Sequence, residues 1–211
     1  MPANVTVTEL KRLLSHEGDE VYRMYDRSHI AVPSFMQKGE KPAPERLGTL
    51  LHCVMEKIEL TQTEKRNTIV AEVERLVQEG YLEQSEADYI DTEKIFAFFQ
   101  SEVGTKMRRS ADVRRELSFK LLLDAEKILG SGKGEQMVVQ GTIDACFTDE
   151  DGQLILLDYK TDRLSGRSGE EVARRYEVQL GCYAEALEHL LGRKADRCCI
   201  YLFDSGETIE I

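Results

Sequence analysis

The order of apolar patterns along the chain predicts an α/β domain with a central mixed sheet flanked by helices, entered through a mainly helical section. Three observations support this. Residues 45–103 carry apolar stripes at three- and four-residue steps, divided into short helices. Residues 113–122, 137–147 and 153–160 then read as three successive strands. A long helical stripe over 169–191 follows, and strands at 197–203 and 208–211 come after it.

The helical section begins after a short extended segment. Thr6-Val7-Thr8-Glu9 matches a capping box and opens a helix over 7–16, with Leu10, Leu13 and Leu14 at helical spacing. Residues 17–44 show no steady period. Gly39, Pro33, Pro42 and Pro44 mark them as a long irregular arm. From Glu45 to Ile58 the stripe Leu47, Leu51, Val54, Met55 and Ile58 defines a helix. His52 borders that stripe, and Gly48, one turn earlier on the same face, leaves room for something to approach. Two readings stand for His52: a hydrogen-bonded histidine at a packing edge, or a neutral imidazole ligand. A second capping box, Thr61 to Glu64, opens a helix to about Gln78, with Gly80 at its C′ position. A short helix at 84–89 and another at 92–103 follow. Phe96, Phe98 and Phe99 on the latter read as core rather than as a platform for bases.

Lys106-Met107-Arg108-Arg109 and Arg114-Arg115 form the densest basic cluster. It is either a solvated face or a set of phosphate contacts beside the first long strand. Glu116, in that strand, either pairs with an arginine or faces the same site as Asp144. Ile128 to Gly134 is a turn that only superficially looks like a phosphate-binding loop. Lys127 stands where the first glycine belongs, and Lys133 precedes Gly134 rather than Ser or Thr, so nucleotide binding there is rejected. Gly141 marks a bulge or a close approach in the next strand. Asp151-Gly152 turns the chain into residues 153–160. The unbroken run Leu154 to Leu157 predicts burial on both faces. A third capping box, Ser168 to Glu171, starts the long helix, and Gly192 ends it.

The chemistry concentrates on the two central strands. Asp144 lies within an apolar run, and Asp158 follows four aliphatic residues. Such carboxylates are costly to bury unless paired or bound to a cation. Asp158 and Lys160 project from one face of their strand. Two carboxylates and an ammonium at a sheet edge suit a divalent metal beside a phosphate.

The totals limit what surrounds this site. With 211 residues, the chain is a single domain: 1–110 mainly helical with the arm at 17–44, and 111–211 an α/β core. Net charge is −11, which opposes non-specific nucleic-acid binding by the whole surface. No apolar run is long enough for a membrane span and no secretion signal opens the chain, so a cytoplasmic protein is expected. Five cysteines without a C-x-x-C pair read as reduced thiols.

Gly141 and Asp144, then Asp158-Tyr159-Lys160-Thr161, then Gln179 and Tyr183, stand in the order G-x-x-D, D-Y-K-T, Q-x-x-x-Y. With His52 upstream, this pattern resembles RecB-type nucleases of the PD-(D/E)XK superfamily, most closely the C-terminal nuclease domains of AddA-type helicase-nuclease proteins. The resemblance spans nearly the whole chain, more loosely over residues 17–44 and 60–110. It implies a restriction-endonuclease-like core cut from a longer helicase-nuclease chain. It implies a Mg²⁺-dependent deoxyribonuclease, with Mn²⁺ acceptable, acting in double-strand-break resection and recombinational repair. The partners implied are single strands fed by the chain's own upstream helicase region, and an AddB-like partner. His52, Asp144, Asp158 and the Tyr159 carbonyl are the implied metal ligands. Asp144, Asp158, Lys160 and Glu116 are the implied catalytic groups. Gln179, Tyr183, Arg108, Arg109 and Arg115 are expected along the DNA path or around the site. The cysteine spacing differs from that of iron–sulfur relatives, so no cluster is expected. The competing reading is an inactive nuclease-like module that binds DNA or protein.

Overall fold

In a computed structural model of the chain, residues 3–7, 9–10, 42–124, 126, 134–161, 166 and 168–211 are described. Among them, six strands form one sheet: β1 (Ala3–Thr6), β2 (Val113–Asp124), β3 (Gln136–Thr148), β4 (Leu154–Lys160), β5 (Arg197–Leu202) and β6 (Glu207–Glu210). β3 organises the sheet. One of its edges pairs antiparallel with β2, from Asp124↔Gln136 to Val113↔Phe147. Its other edge is shared. β1 pairs parallel at 137–140, and β4 pairs antiparallel at 145–148. β4 then runs parallel to β5, and β5 antiparallel to β6. The sheet is mixed, as the element order predicts. Among the described residues, no strand covers positions 141–144 on the shared edge, which leaves a notch between β1 and β4.

Helices cover both faces. α1 (Pro44–Lys57), α2 (Arg66–Gln78), α3 (Gln84–Ala87), α4 (Thr92–Gln100) and α5 (Glu102–Arg109) form the helical section. Their apolar stripes pack with Ala145, Phe147, Ile155, Leu157, Tyr159, Tyr201 and Phe203. Phe98 sits at the centre, edge-on to Tyr159 at 5.5 Å and to Tyr201 at 4.8 Å. α6 (Gly169–Arg174) and α7 (Glu177–Leu191) cover the opposite face. Cys182, Tyr183, Ala186 and Leu187 of α7 pack with Val139, Ile143, Cys146, Leu154 and Leu156. β4 therefore lies buried between two layers, which explains its unbroken aliphatic run.

The pleat of β2 and β3 inverts at one level. Met137, Val139 and Ile143 face α7, whereas Ala145 and Phe147 face the helical section. Positions of equal parity belong on one face of a regular strand, so β3 flips at Asp144. On β2, Leu117, Leu121 and Phe119 face α7, whereas Val113 packs on the other side. Glu116, between them, has φ 50°. That left-handed backbone costs a non-glycine residue about 1–2 kcal/mol. The pairs Arg115↔Ala145 and Leu117↔Ile143 keep one register across the flip, so no residue is inserted.

Gly141 likewise carries no bulge, because it pairs with Phe119. A Cβ there would meet Val7 Cγ2 at 2.9 Å and Phe119 Cζ at 3.0 Å, so close approach is its reason. The first and third capping boxes form as predicted. Thr6 and Glu9 exchange hydrogen bonds, as do Ser168 and Glu171. The second does not. Thr63 is buried, its hydroxyl donates to the Leu60 carbonyl, and α2 starts only at Arg66. The stripe expected over 92–103 is divided at Ser101, whose Oγ accepts from the Gly104 N–H and starts α5. Gly104 makes that turn possible, since a side chain there would collide with the Phe98 carbonyl. The long helix also breaks, at Arg175–Tyr176. Most of the arm at 17–44 lies outside the described residues, as does the turn at 128–134 apart from Gly134. The helix after the arm begins at Pro44, a favoured first position. Among the described residues, no helix is long and apolar enough to cross a membrane.

Candidate active site

The notch is where the polar groups gather. The β3–β4 ladder ends at Ala145↔Leu157. One position further, the Asp144 side chain replaces the missing strand contact: the Tyr159 N–H donates to Asp144 Oδ2 at 2.7 Å. Asp144 Oδ1 lies 3.3 Å from His52 Nδ1. The register thus sets Glu116, Asp144 and Asp158 at one level of three adjacent strands.

α1 brings His52 to this level, and two contacts fix α1. Gly48, one turn before His52, has Thr161 Oγ1 3.1 Å from where a Cβ would stand, so the end of β4 lies close against the helix. At the other end, Arg115 donates to the Met55 carbonyl at 3.1 Å and the Ile58 carbonyl at 2.7 Å, satisfying C-terminal acceptors of α1.

Ligating atoms of His52, Glu116 and Asp144 lie within 4.8 Å of one another. Burial disfavours charge on all three, and they compensate unequally. Burial and then the Asp144 charge push the Glu116 carboxyl up to about 7. Burial opposes ionisation of Asp144, yet the hydrogen bond and charge of His52 outweigh it and hold its pKa below the usual carboxylate range. Burial likewise opposes the imidazolium of His52, and Asp144 outweighs it and raises that pKa.

Asp158 is 1% exposed, and neither of its oxygens has an aligned hydrogen-bond donor. Lys160 Nζ lies 2.6 Å from Oδ2 without that alignment. Burial raises the Asp158 pKa, partly offset by Lys160. Lys160 Nζ also sits 4.5 Å from the centroid of the Tyr176 ring. A buried carboxylate paired with the Lys160 ammonium, two further carboxylates and one imidazole make a donor set suited to a hard divalent cation.

Of the expected ligands, His52 and Asp144 come together, and Glu116 joins them. Asp158 stands beside this group rather than within it, because β4 keeps its regular pleat while β3 inverts. Tyr159 contributes its N–H to Asp144, and its ring is buried with the hydroxyl on Met107 Sδ at 3.5 Å. Gln179 Nε2 donates to the Tyr183 hydroxyl at 2.8 Å, and the Tyr183 ring meets Phe119 edge-on. Burial and the Asp158 charge raise the Tyr183 pKa.

Several members of the basic cluster have partners within the protein. Arg115 holds α1. Lys106 Nζ pairs at 3.0 Å with Asp149, whose side chain is 1% exposed. Arg109 pairs with Glu150 at the β3–β4 turn, at 3.6 Å. Arg114 pairs with Asp112 at 3.4 Å, and Arg108 is half-buried on α5. Arg115 and Lys106 tie elements together, one satisfying carbonyls at a helix end and the other a buried turn carboxylate. The contacts of Thr161 with α1 and of Tyr176 with Lys160 went unpredicted. The spacing of Tyr176, Gln179 and Tyr183 signalled a shared flank for the latter.

The model of the PD-(D/E)XK nuclease superfamily matches residues 22–209. Among curated relatives, an ATP-dependent helicase/nuclease protein of Clostridium novyi (strain NT) is 34% identical over 218 residues, covering 100% of this chain and 18% of the relative. Its namesake in Thermoanaerobacter sp. (strain X514) is 33% identical, over 100% of this chain and 17% of the relative. That of Anoxybacillus flavithermus (strain DSM 21510 / WK1) is 34% identical, over 97% and 16%. The chain thus spans less than a fifth of the length of these relatives. With the matched model running across the helical section and the whole sheet beyond β1, the chain belongs to the PD-(D/E)XK nuclease superfamily, as its motifs suggested.

Proposed function

We propose that this chain is a metal-dependent DNA nuclease domain that hydrolyses phosphodiester bonds. It works on single strands delivered by a helicase region of the same longer chain, beside an AddB-like partner, in end resection and recombinational repair. The observation that carries the reading is the convergence of His52, Glu116 and Asp144 at the notch, next to the buried Asp158–Lys160 ion pair.

His52, Glu116 and Asp144 would hold Mg²⁺ or Mn²⁺, with Asp158 and the Tyr159 carbonyl as further oxygen donors. When bound, the cation supplies charge neutralisation at the scissile phosphate and acidifies a water. Lys160 offsets charge on the phosphate and orients the attacking water by donating to it. The Tyr176 ring and Asp158 keep its ammonium at the notch. Asp144 holds β4 in place through the Tyr159 N–H while accepting from His52. Gln179 and Tyr183 brace the α7 side of the site.

Labelled single-stranded DNA incubated with Mg²⁺ or Mn²⁺ tests this. The parent chain should cut and EDTA should stop it. Asp158→Ala and Lys160→Ala should each lose about 100-fold or more in rate while remaining folded. Cleavage by both variants at the parental rate would make the site assignment wrong.

A further inference from the structure

Among the described residues, Lys106, Arg109, Arg114 and Arg115 each have a partner within the protein, in a chain of net charge −11. Attraction that does not depend on charge is then the more effective way to hold a strand, and a stacked base supplies it. Tyr81 is placed for this. Its backbone is fixed at both ends: its N–H donates to the Leu76 carbonyl at 2.9 Å, and its own carbonyl accepts from Cys53 Sγ at 3.9 Å. Gly80 before it has φ 81°, and Leu82 after it is buried. Yet the residue is 50% exposed. Lys57 Nζ lies 5.3 Å from the ring centroid and 2.6 Å from Glu56 Oε1. That ammonium is therefore paired already, and the ring is the open feature.

The position is continuous with the notch. Cys53 and Lys57 lie one turn apart on α1, and His52 and Glu56 line the neighbouring face. Glu116, in the acidic cluster, is close enough to feel the charges of Glu56 and Lys57. The two α1 residues that touch Tyr81, Cys53 and Lys57, follow His52 by one residue and by just over one helical turn.

We propose that Tyr81, with Lys57 beside it, is a base-stacking subsite that holds a nucleotide of single-stranded DNA flanking the cleavage point. This rests on the nuclease reading for its substrate. The ring face attracts any base, so the subsite is indifferent to sequence. It orders the strand at the C-terminal end of α1, where Glu116 and Glu56 repel the backbone phosphates.

The test is binding in EDTA, where cleavage is stopped, read by anisotropy of labelled oligothymidylate and of an abasic deoxyribose-phosphate chain of equal length. The parent should bind the base-bearing strand about tenfold more tightly. Tyr81→Ala should erase that difference, and Tyr81→Phe should keep it, with unchanged thermal melts as the control for folding. Equal binding of the two strands by the parent would overturn the proposal. So would a base preference that survives in Tyr81→Ala or is lost in Tyr81→Phe. Cleavage by the parent with Mn²⁺ is scored separately: its failure would count against the nuclease reading, while the base preference still decides the subsite.

Discussion

At the residue scale the site is a set of unequal acids. Glu116 occupies a strained backbone position, and its carboxyl is pushed up to about 7, mainly by burial and then by Asp144. A raised carboxyl pKa means that folding favours the neutral form. Its contribution to stability is present below its ordinary pKa and is lost as pH rises through about 7. Glu116→Gln should therefore melt above the parent at about pH 8 without divalent cations. The difference should shrink toward zero as pH falls below the ordinary carboxylate range. A difference independent of pH would show that charge at this position does not matter. The sequence exposed the identities of these residues but not their grouping. Asp144, Asp158 and Lys160 announced themselves as charges among aliphatics. That Glu116, rather than Asp158, groups with His52 and Asp144 depends on a pleat inversion, which no local pattern encodes.

At the element scale, α1 is the part whose placement makes or breaks the site. It carries His52 and is held by Gly48 against Thr161 at one end and by Arg115 at the other. Arg115→Ala would leave two helix-terminal carbonyls without their donor. It should cost about 1–3 kcal/mol in denaturant unfolding. It should also slow cleavage of every DNA equally by loosening His52. Lost activity at unchanged stability would favour a phosphate contact for Arg115 over a hold on α1. The elements themselves were largely legible. The succession of elements from β2 onward, the mixed sheet, the burial of β4, and the first and last capping boxes followed from period and spacing. The breaks at Ser101 and at Arg175–Tyr176 were not, because the apolar stripe continues across both. Tertiary packing decided them, through the fit of Gly104 on Phe98 in one case. Thr63 shows the same limit: its hydroxyl bonds locally to Leu60 instead of capping a helix.

At the scale of the whole molecule, net charge and its distribution govern how DNA is held. The chain carries −11, and within its densest basic cluster Lys106 and Arg115 are held in internal ties. On the proposed function, this charge balance predicts that few phosphates are neutralised on binding and few counterions released. Single-strand affinity should fall only shallowly with salt, with a log–log slope no steeper than about −2. A slope near about −5 would reveal a basic track made by residues other than these. The relatives extend far beyond this chain's length, and in the proposed function the longer protein delivers the strand. A domain that receives its substrate this way gains little from a strong field of its own.

On the proposed function, the notch between β1 and β4 is a divalent-cation centre. Calorimetric titration of the folded chain with Mn²⁺ tests it most directly. The parent should show saturable binding, and Asp144→Asn should weaken it by at least about tenfold. Identical curves for parent and variant, or no saturable binding by the parent, would contradict the claim.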